Sequence, residues 1–221
     1  MIKAVIFDLD GTLLNTIDTI EYYCNTALEE YGFNPVPVEK YKHFVGNGAK
    51  LLVERAMSYT REWTAEEFDN VFKKYNELYD ADTLYLTAPY DGIVDMLKSL
   101  KDNGYKTAVL SNKPHFATVD VVNKIFGKDT FDIVRGGMDG VPLKPAPDAV
   151  FEIMKELDVN CEEVIFVGDT KVDIATGKNA GLFAVGVLWG FRDEAELTAA
   201  GADVIIGDAT EILDIVKKER I

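Results

Sequence analysis

Seven polar residues have the types and spacing to do chemistry together: Asp8, Asp10, Ser111, Asn112, Lys144, Asp169 and Asp173. Asp8 and Asp10 end the apolar run Ala4-Val5-Ile6-Phe7, and Gly11 follows, where the backbone can turn sharply. Two carboxylates at close quarters repel, so the pair calls for a divalent cation, a shared proton or both. Asp169 ends a second apolar run, Val164-Ile165-Phe166-Val167-Gly168, and Asp173 stands four residues on. Ser111 and Asn112 close a third run, 106–110, and Lys144 sits in Leu143-Lys144-Pro145-Ala146-Pro147, whose prolines hold a stiff, extended segment. Carboxylates from two strands make an oxygen cage that suits Mg²⁺. A carboxylate can also attack phosphorus and form an aspartyl-phosphate. A hydroxyl, an amide and a lysine can hold the other phosphoryl oxygens, while the second carboxylate serves as acid and then as base.

Each feature has an ordinary reading: an Asp-Gly or Ser-Asn turn, a helix cap at Gly168-Asp169-Thr170, a solvated loop lysine. Those readings would all have to hold at strand ends that one fold brings to a single edge. The elements around them supply that fold. Runs at 4–7, 106–110, 131–134, 164–167, 184–188 and 204–206 read as buried strands, and helical spacing separates most of them. Helices are expected near 93–103, 119–126, 150–157, 174–180, 194–200 and 212–216. Apolar strands alternating with helices mean α/β architecture, a doubly wound parallel sheet of Rossmann-like, three-layer form. Ligands bind such sheets at the carboxyl ends of the strands, where the polar residues stand.

Residues 16–82 follow a different rule. Apolar residues recur there at helical spacing, with no strand pattern. Ile17, Ile20, Cys24, Ala27, Leu28 and Tyr31 mark one helix, which Asn15 or Thr16 would cap. Thr64-Ala65-Glu66-Glu67 is a capping box opening another. We therefore expect a sheet domain from residues 1–15 and 83–221, with 16–82 inserted as a helical bundle.

Composition limits the function. The chain has 221 residues and a formal net charge of −15, which argues against nucleic acid as a partner. An anionic small molecule remains compatible if a cation and a few lysines reverse the field inside one cleft. No apolar run approaches a membrane span, and the first residues lack a signal-peptide pattern, so a cytoplasmic protein is expected. Cys24 and Cys161 lie in unrelated patterns and read as free thiols.

The motifs together resemble the haloacid dehalogenase superfamily of phosphohydrolases. Asp8-Leu9-Asp10-Gly11-Thr12-Leu13 is similar to its first motif, Ser111-Asn112 to its second, Lys144-Pro145 to its third, and Gly168-Asp169-Thr170-Lys171-Val172-Asp173 to its fourth. The resemblance spans the chain and implies roles. Asp8 would be the nucleophile and a Mg²⁺ ligand. Asp10 would be the acid/base, with its backbone carbonyl on the metal. Ser111, with the Asn112 backbone, would bind the phosphoryl group, and Lys144 would pair with nucleophile and phosphate. Asp169 would ligate the metal, and Asp173 would support its waters or back up Asp169. Asn15 departs from the pattern, since many relatives carry Asp there.

Residues 16–82 look like the helical cap of the subfamily that includes phosphoglycolate phosphatases and β-phosphoglucomutases. Gly46-Asn47-Gly48-Ala49-Lys50 is similar to the substrate loop of the phosphatases, which marks Gly46, Asn47, Gly48 and Lys50 as candidate substrate contacts. Gly186-Val187-Leu188-Trp189-Gly190-Phe191-Arg192 matches their late glycine-aromatic segment. The expectation is a Mg²⁺-dependent phosphatase of small phosphomonoesters, phosphoglycolate-like, acting as a monomer or homodimer. One alternative is a sugar phosphomutase, against which Thr12 speaks because such mutases usually carry Val there. Another, of a different class, is a non-catalytic regulator that binds partners through its helices; loss of the carboxylates would be its sign, and all are present.

Overall fold

The structure, a computed structural model, describes residues 1–218. The chain opens with β1 (Ala4–Phe7), every residue of which is buried, and β2 (Leu14–Asn15). Four helices follow: α1 (Ile17–Glu30), α2 (Val38–Phe44), α3 (Ala49–Thr60) and α4 (Ala65–Ala81). The chain returns through β3 (Ala88–Pro89) to α5 (Ile93–Asp102), β4 (Lys106–Pro114), α6 (His115–Phe126), β5 (Ile133–Gly137) and α7 (Asp148–Leu157). It ends with β6 (Val164–Gly168), α8 (Lys171–Asn179), β7 (Phe183–Val187), α9 (Glu194–Ala199), β8 (Val204–Ile206) and α10 (Glu211–Val216).

Six strands form one parallel sheet in the order β5-β4-β1-β6-β7-β8. The chain builds outward from β1 through β4 to β5, then crosses back to β6 on the other side. Doubly wound sheets bind ligands at such a reversal, outside the carboxyl ends of the strands. Here the reversal falls between β1 and β6, which end in Asp8 and Asp169.

Strand alternation assigns each side chain to a face. Val5 and Phe7 of β1 join Val109, Ile165, Val167, Val185 and Val187 under α5 and α10. Ala4 and Ile6 point the other way, with Ala108, Leu110, Val164 and Phe166, and α7 covers them. Helices therefore cover both faces, as the continuously apolar strands require. The helices α1–α4 bury their stripes against one another in a separate cluster that includes Cys24, Leu28, Tyr41, Val53, Met57, Val71 and Tyr75. Thr64 and Glu67 make the expected capping box, whereas Thr16 makes no side-chain cap and Asn15 only a 3.4 Å contact to the Ile17 N–H.

Several boundaries differ from the sequence expectation, each for a local reason. β4 runs through Ser111, Asn112 and Lys113 to Pro114, with a register irregularity after Leu110, the point at which the apolar run predicts the strand's end. β5 lies at 133–137 rather than 131–134, because Gly136 and Gly137 continue it. A Cβ at Gly136 would lie 2.7 Å from the Lys113 carbonyl and from the His115 Cα, so only glycine lets the two strands close. α6 opens at His115 instead of 119, and α8 at Lys171 instead of 174. The pairing of β2 with β3 was not foreseen, since two-residue strands carry no periodicity.

Candidate active site

The carboxyl ends of β1, β4 and β6 and the 143–147 loop converge on one buried polar cluster. The carboxylates of Asp8, Asp169 and Asp173 each present an oxygen within 4.8 Å of the others, and all three residues are buried. Lys144 spans them: its Nζ lies 2.7 Å from Asp8 Oδ1 and 2.6 Å from Asp173 Oδ1. Asp173 is fixed by its helix start. Its Oδ2 accepts from the Thr170 N–H (3.0 Å) and hydroxyl (2.7 Å), leaving Oδ1 for the lysine. Asp169 Oδ2 accepts from the Phe191 N–H at 2.7 Å, and Oδ1 from the Thr12 hydroxyl at 3.3 Å.

Two glycines let the backbone close around Asp169. A Cβ at Gly11, whose φ is +90°, would lie 2.3 Å from Asp169 Oδ2, and one at Gly190 would lie 2.3 Å from Asp169 Cβ. A side chain at either position would displace the carboxylate. The Asp-Gly turn after β1 is thus a steric requirement of the site.

Crowding like charges in a dry place perturbs them. Burial, and then Asp173, push the Asp8 carboxyl up to about 7, while Lys144 pulls the other way. Burial, then Asp173 and Asp8, hold Asp169 well above the usual carboxylate range. Burial alone would lower Lys144, but Asp173 and Asp8 outweigh it and keep the ammonium above its ordinary value. One ammonium among three carboxylates leaves the cluster short of positive charge. The donor set, all carboxylate oxygen, suits a hard divalent cation such as Mg²⁺.

Asp10 stands apart from this cluster. Its two oxygens accept from Lys113 Nζ at 3.0 and 3.3 Å, and the same ammonium donates to the Tyr79 hydroxyl at 2.6 Å. The Asn112 side chain acts as a clamp: its Nδ2 donates to the carbonyls of Gly46 and Lys144, both at 2.9 Å, and its Oδ1 accepts from the Lys144 N–H at 2.8 Å. Ser111 lines the cavity, and its Oγ accepts from the Lys113 N–H at 3.2 Å.

A cavity open to solvent on one side lies over these residues. Its floor is Asp8, Asp10, Ser111, Asn112, Lys113 and Lys144; its opposite wall is Ile20, Val45, Leu52, Tyr75, Asn76, Tyr79 and Asp80 from the helical bundle. Of the loop residues singled out in the sequence, Gly46 and Gly48 line the cavity. Asn47 and Lys50 are not among its lining residues. Asn47 Oδ1 accepts from Arg55 at 3.0 Å, and exposed Lys50 lies over the Phe68 ring at 5.9 Å. Asp169 and Asp173 are not among the lining residues and reach the cavity's edge through their closeness to Asp8.

The late segment joins sheet and bundle. Trp189 Nε1 donates to the Thr12 carbonyl at 2.9 Å, the Phe191 ring is buried in the bundle's apolar cluster, and Arg192 donates to the carbonyls of Lys42 and Val45. Sequence reasoning passed over Lys113 and Tyr79. Lys113 follows Ser111 by two residues, the spacing that puts two strand residues on one face, and that signal was available. Tyr79 is indistinguishable in sequence from its core neighbours on α4.

A Rossmann-type sheet whose first strand ends in two aspartates, with a lysine and two further aspartates beside them, defines a class of hydrolase. Residues 5–187 match the family model for haloacid dehalogenase-like hydrolases, and the chain belongs to that family. A phosphoglycolate phosphatase from Haemophilus influenzae is 30% identical over 220 residues, covering 97% of this chain and 98% of that one. A phosphoglycolate phosphatase from Vibrio vulnificus is 32% identical over 221 residues, 97% of this chain and 96% of that one. Among solved structures, a predicted phosphoglycolate phosphatase from Haemophilus somnus superposes with a TM-score of 0.92 at 26% identity, over 98% of both chains. A structure from Lactobacillus delbrueckii subsp. bulgaricus, given the same provisional name, superposes with a TM-score of 0.90 at 33% identity, over 97% of this chain and 98% of that one.

Proposed function

We propose that this hydrolase of phosphoric monoesters acts on small, phosphoglycolate-like substrates, with Mg²⁺ and through an aspartyl-phosphate on Asp8. The observation that carries the reading is Asp8 itself: a buried carboxylate held by Lys144 at the floor of a cavity, with Asp169 and Asp173 within 4.8 Å. Asp8 and Asp169, with the Asp10 backbone carbonyl, would hold the metal, and Asp173 would support its waters. Bound there, Mg²⁺ supplies the positive charge that the three carboxylates lack and that a phosphoryl group needs.

The chain's own groups then divide the work. An Asp8 oxygen attacks phosphorus and the ester P–O bond breaks. Asp10, two residues on and facing the same cavity, gives a proton to the departing oxygen. Water attacks the aspartyl-phosphate next, passing a proton to Asp10; the bond to Asp8 breaks and inorganic phosphate leaves. Lys144 and Ser111 hold phosphoryl oxygens throughout. The α1–α4 bundle serves as a cap over the reaction, with residues 16–82 as its extent, and excludes bulk water. Thr12, the residue set against a mutase, is fully buried with its hydroxyl on Asp169, so its influence acts through that carboxylate.

The test is a chemical trap. Protein quenched in acid during turnover and treated with borohydride should show a mass change confined to the peptide that contains Asp8. Phosphate trapped on another residue, or hydrolysis unaffected by Asp8→Asn, would refute the assignment.

A further inference from the structure

Lys113 is not accounted for by the roles above. Its side chain is 7% exposed, its charge is paired with Asp10, and it lines the cavity. It has two protein partners among the described residues, Asp10 and the Tyr79 hydroxyl, and the Tyr79 ring stacks 4.4 Å from its Nζ. Three hydrogen bonds engage the ammonium, two of them to the one Asp10 carboxylate, so a ligand anion would share it with Asp10. The Tyr79 hydroxyl accepts from Lys113 and keeps its own proton to donate. Burial, and then the nearby Asp10, hold that phenol in its protonated form.

The distribution of charge around the cavity narrows what the ligand group is. Lys113 and Lys144 are the cations among its described lining residues. Lys144 is engaged by Asp8 and Asp173, which places it at the phosphoryl end. The bundle wall supplies no cation: Ile20, Val45, Leu52 and Tyr75 are uncharged, Asn76 is neutral, and Asp80 is acidic. A second anionic group on a substrate would be unpaired everywhere in this cavity except beside Lys113. Position agrees with charge. Phosphorus must reach Asp8, the ester oxygen must reach Asp10, and Lys113 Nζ lies 3.0 Å from Asp10 on the same cavity lining.

We propose that Lys113 and the Tyr79 hydroxyl form the subsite for an anionic group on the leaving alcohol, selecting phosphomonoesters with a carboxylate one carbon from the esterified oxygen. The proposal rests on the phosphomonoester reading above and adds the residues that choose among such esters. It differs from a purely structural Lys113, whose sole task would be to hold Asp10.

A matched pair of substrates separates these roles: 2-phosphoglycolate, and 2-hydroxyethyl phosphate, in which a neutral CH₂OH replaces the carboxylate. The quantity read is the ratio of their kcat/KM values. Lys113→Gln disturbs Asp10 for both esters alike, but the charged contact is lost for one alone. The ratio should therefore fall about 10- to 100-fold, the usual scale of one charged hydrogen bond. Tyr79→Phe, which keeps the buried ring and the fold, should lower the same ratio about 3- to 10-fold. Inhibition of 2-hydroxyethyl phosphate hydrolysis by glycolate should weaken in the same order. Equal losses on both esters, with the ratio and the glycolate inhibition unmoved in both variants, would overturn the proposal and leave Lys113 as a support for Asp10. A wild-type protein that hydrolyses neither ester would overturn the underlying reading, and this one with it.

Discussion

The floor of the cavity and its opposite wall are built differently. On the sheet side, Asp169, Asp173 and Lys144 are each held by two or more groups, Gly11 and Gly190 add a steric limit at Asp169, and Lys144 in turn holds Asp8. On the bundle side, the lining is mostly apolar or aromatic, and its polar contacts to the floor are few: Tyr79 to Lys113, and the Gly46 carbonyl to Asn112. Reacting groups fixed by many constraints move little when a distant residue changes. A wall that makes few specific bonds can be altered with little effect on the chemistry beneath it. Rate should therefore belong to the sheet edge, and choice of substrate to the bundle together with Lys113.

The sharpest way to break this contrast is at Asp8. Asp8→Asn should lower phosphate release by about 10³-fold or more, equally for every substrate, as loss of a covalent nucleophile does. A loss that varied from substrate to substrate would mean that the floor also selects. Asp10→Ala comes next. With alkyl phosphates its first step should slow by about 10²–10⁴-fold, whereas p-nitrophenyl phosphate, whose leaving group needs little protonation, should suffer less. Rapid mixing with that ester should give a burst of nitrophenol and then a slow steady state, because the second step lacks its base.

Metal binding sharpens the same side of the comparison through pH. Asp8 is raised to about 7 and Asp169 is raised too, both first by burial and then by neighbouring carboxylates. Without metal, the folded state thus binds protons that the unfolded chain has released above its ordinary carboxylate pKa of about 4. That contribution to stability is complete below about pH 4 and is lost as pH rises through about 7. Added Mg²⁺ should accordingly raise the melting temperature more at pH 8 than at pH 5. At a concentration 100 times its dissociation constant, the gain should be about 2.7 kcal/mol. Asp8→Asn should shrink the pH dependence of the metal-free protein. A metal effect equal at both pH values would count against the cluster as the site.

The smallest effects should lie on the bundle, and they divide by which residues line the cavity. Tyr75→Ala should reorder a panel of phosphomonoesters by about tenfold, since it removes a buried ring from the wall. Lys50→Ala should leave that order unchanged and cost less than about 0.5 kcal/mol in thermal unfolding, as an exposed substitution does. A reordering by Lys50→Ala would restore the loop contact that the sequence pattern suggested.

Much of this was legible from local signals. Buried runs ending in polar residues gave the sheet, because a strand covered on both faces has to be apolar and its end has to satisfy something. The Thr64 capping box and the 3.6-residue spacing gave the bundle. Asp8, Asp10, Ser111, Asp169 and Asp173 stood out because they end or follow such runs, and Lys144 because it stands in a proline-stiffened loop. What stayed hidden depends on distant partners. The extension of β4 through Lys113 required the Gly136-Gly137 backbone to come alongside. The use of the Asn112 side chain as a clamp on Lys144 and Gly46 needs three segments at once. Tyr79 turns from core residue to cavity residue only when α4 is laid over β4.

The small ladder of β2 and β3 also matters to the way the chain folds and varies. It pairs Leu14 with Pro89 and Asn15 with Ala88, so the chain leaves the sheet and rejoins it at adjacent points. To the sheet, everything between is one closed loop. The entropy of closing a loop grows only with the logarithm of its length, about 0.6 kcal/mol for each doubling. An excursion half as long, or twice as long, would burden the sheet almost equally. The two short strands thus act as a junction at which the length of the excursion can change while the register of β1 against β4 and β6 stays untouched.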